Sequence, residues 1–300
     1  MRFSVQLPTH RVEAGDEFVS ATAIGEMARA AERAGFDACF VTDHPFPTDK
    51  WMAGGGHHSL DPFVALAFAA AATETIRLQT HVLVLPYRSP FIVANAAATL
   101  DRASGGRLIL GTAAGYLKGE FHALGADFEH RNEISDDALR AIRRAWSENG
   151  LEMSGRGFSV RGNTSRPLPI QEPGPPIWVG GNSRLAIRRA VELGDGWLPF
   201  PNERKHAAYR RTAVLETLED LRHKLDFARE HAERVGRTEP LDVCFSPFES
   251  RLKSEGLAGH VGELAALGVT WLALAPPPPD SRARWCESIA RLGQQLALSS

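Results

Sequence analysis

The sequence predicts a single-domain α/β fold, a (β/α)8 TIM barrel over residues 1–300. Eight strand-like segments alternate with helical segments from one end of the chain to the other. The strand segments are continuous apolar runs, as expected for parallel strands that are buried on both faces. No change in composition marks a domain boundary. Eight strand–helix units in one domain favour a closed barrel.

A doubly wound parallel sheet is the alternative fold. A sheet of that kind that binds a dinucleotide carries a GxGxxG sequence after its first strand. This chain has Pro8-Thr9-His10 at that position. The barrel is therefore the prediction that the order of elements favours.

The first half of the chain supplies four strand–helix units. The strands are predicted at Arg2–Leu7, Ala38–Thr42, Ile76–Leu85 and Arg107–Thr112. Helix starts are recognised by a capping Ser or Asp, in two cases followed by proline, which suits the first helical turn. The helices are predicted from Ser20 to Gly35, from Asp61-Pro62 onward, from Ser89-Pro90 to near Ala103, and over Arg131–Glu148.

The second half repeats the alternation. Its strands are predicted at Ile177–Val179, Gly196–Pro199, Leu241–Ser246 and Val269–Leu274. Apolar residues at helical spacing predict helices over Ser183–Leu193, Lys205–Arg234 and Leu257–Leu267, and a last one that packs through Trp285, Ile289, Leu292 and Leu296.

Two segments do not follow the alternation. Phe46–Leu60, after the second strand, contains three consecutive glycines and is predicted to be a mobile lid over the barrel mouth. Gly150–Pro176, before the fifth strand, is an irregular insertion with several prolines and a hairpin-like Gly155-Arg156-Gly157. We expect these two segments to shape the substrate pocket.

The bulk composition excludes several classes of protein. The formal net charge is -2, which gives no electrostatic reason to expect nucleic acid or an anionic membrane as a partner. The longest apolar run, near Val64–Ala72, is too short to span a bilayer, and the N-terminus lacks the apolar core of a signal peptide. The three cysteines are far apart and without CxxC spacing, so we expect a reducing cytoplasm and no disulfide or zinc site.

In a (β/α)8 barrel the chemistry lies at the carboxyl ends of the strands. Asp43-His44 follows the second strand, and a carboxylate beside an imidazole suits acid/base chemistry or hydrogen bonding to a polar ring edge. The fourth strand ends in Gly111-Thr112-Ala113-Ala114-Gly115, followed by Tyr116. Side chains this small allow a flat ring to lie against the backbone.

The fifth strand ends in a candidate anion site, Gly180-Gly181-Asn182-Ser183-Arg184, at the start of a helix. Glycines free backbone N–H groups, and the helix N-terminus adds partial positive charge. Asn182 or Ser183 can cap the helix, and Arg184 can pair with a phosphate. We expect this segment to bind the phosphate of a cofactor.

Three further histidines can each be explained by an ordinary structural role. His81 stands in the third strand, where it is either a satisfied core residue or a part of the site. His57 and His58 are adjacent, so their side chains point apart, and no matching carboxylate spacing is present. No metal site is predicted.

These features together resemble the luciferase-like monooxygenase superfamily, and within it the branch that uses the deazaflavin coenzyme F420. The resemblance covers roughly Met1–Pro199. The matching segments are FSVQLPT, AERAGFDACFVTDH, the run from IRLQTHVLVLPYRSP through LDRASGGRLILGTAAGYLKGEFHALG, and RPLPIQEPGPPIWVGGNSRLAIRRAVELGDGW.

The resemblance implies a barrel with an isoalloxazine-like ring over its carboxyl-terminal mouth. It implies a non-proline cis peptide between His81 and Val82, behind the ring. It also implies that His44 faces the ring as acid/base or substrate-orienting residue, that Asp43 contacts the ring edge, and that Gly180, Gly181 and their neighbours hold the phosphate. Tyr116 and Glu120 are the second choices for proton transfer.

Three positions depart from related subgroups. Ala114 stands where the flavin mononucleotide (FMN) users close to bacterial luciferase carry a phosphate-binding arginine. Tyr116 and Thr48 stand where deazaflavin glucose-6-phosphate dehydrogenases carry a glutamate and a tryptophan, which disfavours sugar-phosphate oxidation. At neutral pH a tyrosine can donate a hydrogen bond but is a poor base.

The resemblance therefore predicts an F420-dependent oxidoreductase that passes a hydride between the deazaflavin C5 and an organic substrate. The apolar residues Phe46, Trp51 and Trp197 favour a hydrophobic substrate. The alternatives are an FMNH2-dependent monooxygenase of the same fold and a barrel that binds deazaflavin without catalysis. Members of the family are often homodimers, so a homodimer is expected.

Overall fold

The third predicted strand is interrupted in the computed structural model, which describes residues 1–277 and 279–298 and, for residues 249–255 and 258, the backbone alone. A cis peptide joins His81 to Val82 there, as the resemblance implied. The strands are β1 (Arg2–Gln6), β2 (Ala38–Val41), β3 (Arg77–Thr80), β4 (Leu83–Val84), β5 (Leu108–Ala113), β6 (Leu151–Gly155), β7 (Phe158–Asn163), β8 (Ile177–Gly180), β9 (Gly196–Leu198), β10 (Asp242–Phe245) and β11 (Trp271–Leu274).

The parallel strands close into an eight-stranded barrel, with β3 and β4 as two parts of one strand. The order around it is β3-β2-β1-β11-β10-β9-β8-β5, and β5 pairs in turn with both β3 and β4. β1 and β11 join in the register Arg2↔Trp271, and β3 and β5 in the register Leu78↔Leu108. The predicted (β/α)8 barrel is confirmed.

Eleven α-helices are formed by the described backbone, and most of them lie in the crossovers between barrel strands. They are α1 (Ala21–Arg33), α2 (Asp49–Ala53), α3 (Pro62–Ala72), α4 (Pro90–Ala103), α5 (Lys118–Ala123), α6 (Arg131–Ser147), α7 (Arg184–Leu193), α8 (Arg204–Arg210), α9 (Leu218–Arg234), α10 (Glu249–Leu267) and α11 (Arg282–Gln295). Ser20 and Asp61 accept backbone hydrogen bonds at the starts of α1 and α3, as capping residues do.

The irregular insertion contains the hairpin-like turn that the sequence indicates. β6 and β7 pair antiparallel around Arg156-Gly157 and form a separate two-stranded sheet. The lid segment is partly ordered as the short helix α2. Among the residues that the structure describes, no helix combines the length and apolar composition needed to cross a membrane.

The prediction of one long helix over Lys205–Arg234 is wrong. α8 ends at Arg210, and Arg211 adopts a left-handed backbone conformation with φ 50°. Leu215 is fully buried and exchanges backbone hydrogen bonds with Asn202, which holds the chain extended between the two helices. Thr217 then starts α9 in a reciprocal capping box with Asp220.

The helix predicted at Leu257–Leu267 begins earlier in the structure. α10 runs from Glu249, with a non-helical backbone at Gly256. The sequence therefore identified the second part of this element and missed the first.

Arg107 and Asp101, both from the LDRASGGR segment, are buried structural residues. The Arg107 guanidinium donates hydrogen bonds to the carbonyl oxygens of Ala70, Thr73 and Ile76, which lie at and just beyond the end of α3. The Asp101 carboxylate accepts hydrogen bonds from the backbone N–H groups of Ile170 and Gln171. This segment thus ties the start of β5 to the end of α3 and to the insertion.

Candidate active site

A cavity of about 310 Å³ lies at the carboxyl ends of the barrel strands. Its lining combines the segment after β2, the cis peptide, the ends of β5 and β8, the first turns of α6 and α7, and the chain that follows β9. The lining residues that the sequence predicted are Asp43, His44, His81, Val82, Ala113, Ala114, Gly115, Tyr116, Gly180, Gly181 and Ser183. Most of the predicted site residues are therefore brought together around one cavity.

Asp43 is held by the chain itself. Its carboxylate accepts two hydrogen bonds from the Arg88 guanidinium, at 2.7 and 2.9 Å, and one from the backbone N–H of Val84 at 2.9 Å. The residue is 3% exposed. Asp43 therefore positions β4 and the entry to α4, and its contacts favour a supporting role over proton transfer.

His44 is paired with Glu120. Nδ1 of the His44 ring lies 3.3 Å from Oε2 of Glu120, and the His44 backbone N–H donates to the Ser59 hydroxyl. A carboxylate on Nδ1 holds that nitrogen as the protonated one in the neutral ring. Nε2 is then the ring atom that can take up or release a proton.

Glu120 is fully buried between β5 and the lid. Its carboxylate accepts hydrogen bonds from the Phe46 backbone N–H at 2.9 Å and from the Tyr87 hydroxyl at 2.8 Å, besides its contact with His44. Burial raises the pKa of Glu120, but the hydrogen bonds outweigh this effect, and the pKa lies below its ordinary value. Glu120 is thus an anion that orients His44.

The lid contributes an aromatic contact to His44. The Trp51 ring, in α2, lies 4.4 Å from the His44 ring, measured between centroids. The Tyr116 ring lies edge-on to His44 at 6.5 Å, and burial raises the pKa of Tyr116. Tyr116 is therefore a hydrogen-bond donor at neutral pH, as the sequence predicted from its residue type.

One wall of the cavity is made of small residues. Ala113 ends β5, Ala114 and Gly115 follow it, and all three line the cavity together with Val82. Gly115 has φ 77°, and a Cβ at this position would lie 2.6 Å from Val84 Cγ1. Only glycine fits there. The buried hydroxyl of Thr42, also on the lining, has no hydrogen-bond partner in the described structure.

Gly180 ends β8 beside the end of β5, and Gly181 and Ser183 lead from it into α7. The Ser183 hydroxyl caps this helix by accepting from the Ala186 N–H. Gly181 has φ 122°, and its carbonyl accepts a hydrogen bond from the Trp197 indole at 2.8 Å. Trp197 is fully buried, so it anchors the glycine segment from behind and does not line the cavity.

Asn182 and Arg184 lie outside the cavity lining. Asn182 is buried and its side-chain amide donates to the carbonyls of Phe200 and Ala213, which joins three loops of the barrel mouth. The Arg184 guanidinium lies over the Phe227 ring at 5.1 Å. Asn182 therefore positions the loops around the cavity. Arg184 does not supply a positive charge to the cavity beside the glycine segment.

Sequence reasoning missed the four arginines that line the cavity, Arg131, Arg189, Arg210 and Arg211. Arg131 and Arg211 both pack on the Phe128 ring, at 4.1 and 4.9 Å. Burial, and then the neighbouring Arg211, lower the pKa of Arg131. Arg131 starts one predicted helix, and Arg189 lies inside another. Arg210 and Arg211 lie inside the predicted helix over Lys205–Arg234, so no local signal marks these arginines as part of a site.

Beside the first cavity lies a second and larger one of about 890 Å³. The two share Phe200 and Arg210. Leu215, Phe248, Ala273 and Leu274 give the second cavity a buried apolar lining. In the described part of the chain, no group of three or more His, Cys, Asp or Glu side chains is placed to hold a metal ion.

The sequence matches a family model described as luciferase-like monooxygenase over residues 1–249. The FMNH2-dependent dimethylsulfone monooxygenase of Pseudomonas putida is 28% identical to it over 215 residues, which cover 70% of this chain and 55% of that protein. The chain thus matches little more than half the length of this relative.

Two solved structures share the fold over almost their whole length. The monooxygenase RslO1 from Streptomyces bottropensis has a TM-score of 0.72 at 23% identity and is matched over 97% of this chain and 98% of its own. The coenzyme F420 dependent tetrahydromethanopterin reductase from Methanopyrus kandleri has a TM-score of 0.71 at 17% identity and 99% coverage of both chains.

Proposed function

The chain belongs to the luciferase-like monooxygenase family, and from this premise we propose that it is an F420-dependent oxidoreductase acting on a hydrophobic organic substrate. The observation that carries the proposal is the His44–Glu120 pair on the cavity that the predicted cofactor-binding residues line. A substrate that loses a hydride on oxidation also loses a proton, and one that gains a hydride on reduction also gains a proton. His44 is the residue placed to exchange that proton.

The cavity fits a flat ring with polar edges. The small wall formed by Ala113, Ala114 and Gly115 leaves room for a ring, and the orphaned Thr42 hydroxyl supplies a hydrogen-bonding group without a protein partner. Gly180, Gly181 and the capped start of α7 suit a phosphate. When bound, a deazaflavin supplies the hydride donor or acceptor, and the protein supplies placement and proton transfer.

Each of the proposed roles belongs to a named side chain. His44 takes up or releases the proton at Nε2, and Glu120 holds the ring through Nδ1. Tyr116 donates a hydrogen bond to the bound ligand. Asp43 acts through Arg88 and β4, because both of its oxygens are already occupied by protein donors.

The second cavity supports a hydrophobic substrate. It adjoins the first at Phe200, and its buried lining is apolar. Of its charged residues, Glu203 pairs with Lys205, Glu216 accepts from the Arg204 backbone N–H, and Arg210 lies where the two cavities meet. A bulky apolar molecule can therefore be desolvated here while its reacting group reaches the first cavity.

An FMNH2-dependent monooxygenase is the second candidate. Two observations favour it: the Pseudomonas relative is named as such an enzyme, and Arg131, Arg210 and Arg211 line the cavity although Ala114 replaces the expected arginine. Arginines from other elements can bind the FMN phosphate in its place.

A binding titration separates these candidates. Purified apoprotein is titrated with coenzyme F420 and with FMN, and fluorescence is followed. The proposal expects micromolar or tighter binding of F420 with weak binding of FMN, and then turnover with hydride acceptors. Preferential FMN binding with oxygen uptake in the reduced state would show the monooxygenase. F420 binding without turnover on any acceptor, together with no effect of replacing His44, would indicate a non-catalytic deazaflavin carrier.

We also propose that the protein is a cytoplasmic homodimer. The three cysteines are free thiols, which suits a reducing compartment. α3 is apolar on all sides, yet its Val64 and Phe68 are exposed, and Ile92 of α4, which packs against α3, is exposed as well. A second copy of the chain is the partner that would cover this face.

A further inference from the structure

A line of polar side chains crosses the otherwise apolar interior of the barrel and ends at the cavity. The Ser4 hydroxyl donates a hydrogen bond to Oε1 of Gln79 at 2.8 Å, and Ser4 and Gln79 are both fully buried. Nε2 of Gln79 lies 3.0 Å from Nδ1 of His81. The neighbouring side chains in the barrel interior include Phe40 and Trp178. Buried polar groups of this kind are costly unless each is satisfied.

The direction of these hydrogen bonds determines where the proton of His81 sits. Because Oε1 of Gln79 accepts from Ser4, its amide group faces His81 and donates to Nδ1. An imidazole that accepts at Nδ1 carries its proton on Nε2 when it is neutral. Nε2 has no hydrogen-bond partner in the described part of the chain, and the ring lines the cavity.

The surroundings keep the ring neutral. The His81 ring packs against Phe40 with 4.6 Å between centroids. Burial lowers the pKa of His81 to about 4. At neutral pH the ring therefore offers a single uncharged N–H donor and holds no positive charge.

We propose that His81, fixed by Ser4 and Gln79 with its proton on Nε2, donates a hydrogen bond to a carbonyl oxygen of the cofactor ring bound in the active-site cavity. The inference rests on the proposed function, because it takes a flavin-type ring as the ligand. It assigns to the His81 side chain a role that is separate from the cis peptide it belongs to.

Replacement of Gln79 by Glu tests the direction of the hydrogen bond between residue 79 and Nδ1 of His81. Gln79→Glu keeps the shape and still accepts from Ser4, but its carboxylate accepts from Nδ1 and moves the neutral ring's proton there. Nε2 then presents a lone pair to the carbonyl. We expect the variant to bind the cofactor at least about tenfold more weakly than the wild type, the cost of one unmatched polar contact. His81→Phe keeps the packing on Phe40, removes the donor and is expected to weaken binding similarly.

The probes are coenzyme F420 and FMN, both of which carry ring carbonyls, and binding is followed by fluorescence. His231→Phe is the matched control, because His231 is a buried histidine of α9 that contacts Glu192, and neither residue lines the cavity. We expect this control to bind the cofactor as the wild type does. Melting temperatures establish that each variant is folded.

A second readout needs neither cofactor nor activity. Nitrogen-15 NMR of histidine-labelled apoprotein distinguishes the two neutral tautomers. We expect the wild-type His81 ring to carry its proton on Nε2 across neutral pH. A ring protonated on Nδ1, or doubly protonated at neutral pH, overturns the inference even if Gln79→Glu does not fold.

The outcomes also separate this inference from the proposed function. If His81→Phe and Gln79→Glu both bind the cofactor as tightly as the wild type does, the donor role is overturned and the proposed function stands. A wild type that binds neither ring overturns both. Weakened binding in both variants, with an unaffected control and the expected tautomer, supports the donor role.

Discussion

His44 and Glu120 are separated by 76 positions in the chain, and their side chains meet because β2 and β5 end at the same rim of the barrel. His44 follows a strand directly, so its place could be inferred from the sequence. Glu120 lies in α5, behind the small-residue loop, and its residue type alone did not separate a structural from a chemical role. The three hydrogen bonds that it accepts decide this, since they hold it as an anion against His44.

We expect His44→Ala to lower kcat by about a hundredfold or more, the usual contribution of a positioned acid or base. Glu120→Gln should lower kcat less, because an amide keeps the size of the side chain but no longer holds the His44 ring with an ionised oxygen. Steady-state turnover of the holoenzyme measures both. Arg102→Met, an exposed change in α4, is the control. Full turnover of His44→Ala would remove the proton-transfer role.

Other site residues illustrate what residue types do not reveal. Asn182 and Arg184 match a phosphate-binding pattern by type, but one joins loops and the other packs on Phe227. Arg131 and Arg211 reach the cavity through their shared packing on Phe128. Contacts of this kind depend on side chains distant in sequence, which a single sequence does not display.

At the scale of elements, capping residues and buried strands were the reliable signals. All eight predicted barrel strands are present, because continuous apolar runs between helices have few other stable arrangements. The predicted helix over residues 205–234 failed for a tertiary reason. Its apolar spacing is helical, but Leu215 is buried through pairing with Asn202, and the capping box at Thr217 starts the helix anew.

The end of α3 provides a prediction about stability. The Arg107 guanidinium donates five hydrogen bonds. Three go to the carbonyls at and just beyond the end of α3, one to the Thr73 hydroxyl and one to the Ser104 carbonyl. Arg107→Met leaves these buried acceptors unsatisfied, so we expect a loss of about 3 kcal/mol or more in the free energy of unfolding.

Urea denaturation measures the Arg107→Met effect, and cofactor affinity of the folded variant should stay near that of the wild type. Arg102→Met serves as the matched arginine control, since Arg102 is exposed in the same helix-to-strand segment. A variant as stable as the wild type would show that the α3 carbonyls find water or other partners.

At the scale of the whole molecule, buried neutral histidines make stability depend on pH. Burial, with His57 nearby, lowers the pKa of His10 to about 4, and burial lowers the pKa of His81 to about 4. Between pH 6.5 and about 4 the unfolded chain binds protons at these sites and the folded chain does not. Stability is therefore complete above pH 6.5, falls as the pH falls through this window, and levels off below it.

We expect each histidine to contribute a slope of at most about 1.4 kcal/mol per pH unit, and His10→Gln to flatten the dependence. Denaturation midpoints measured from pH 7 to pH 4 give this slope. A replacement of the exposed His223, as control, should leave it unchanged. A slope of opposite sign would mean that other groups dominate the acid response.

The proposed dimer is tested on the exposed apolar face of α3. Phe68 is 43% exposed and Val64 is 57% exposed. A carboxylate buried in an apolar interface without a partner is strongly unfavourable. We therefore expect Val64→Glu combined with Phe68→Glu to convert a dimer into a monomer in light scattering coupled to size exclusion. Leu124→Glu, at the exposed residue just after α5, is the control, and a wild type that is monomeric at micromolar concentration contradicts the proposal.

The contact between Trp51 and His44 has an optical consequence. The chain has six tryptophans, and the other five are all buried in the structure, at 3% exposure or less. Trp51 alone is partly exposed, and it lies in the lid. A collisional quencher such as acrylamide should therefore extinguish the emission of Trp51 first and report lid position in the unlabelled protein. Cofactor binding that closes the lid should protect this emission, whereas Trp51→Phe should abolish the quenchable fraction.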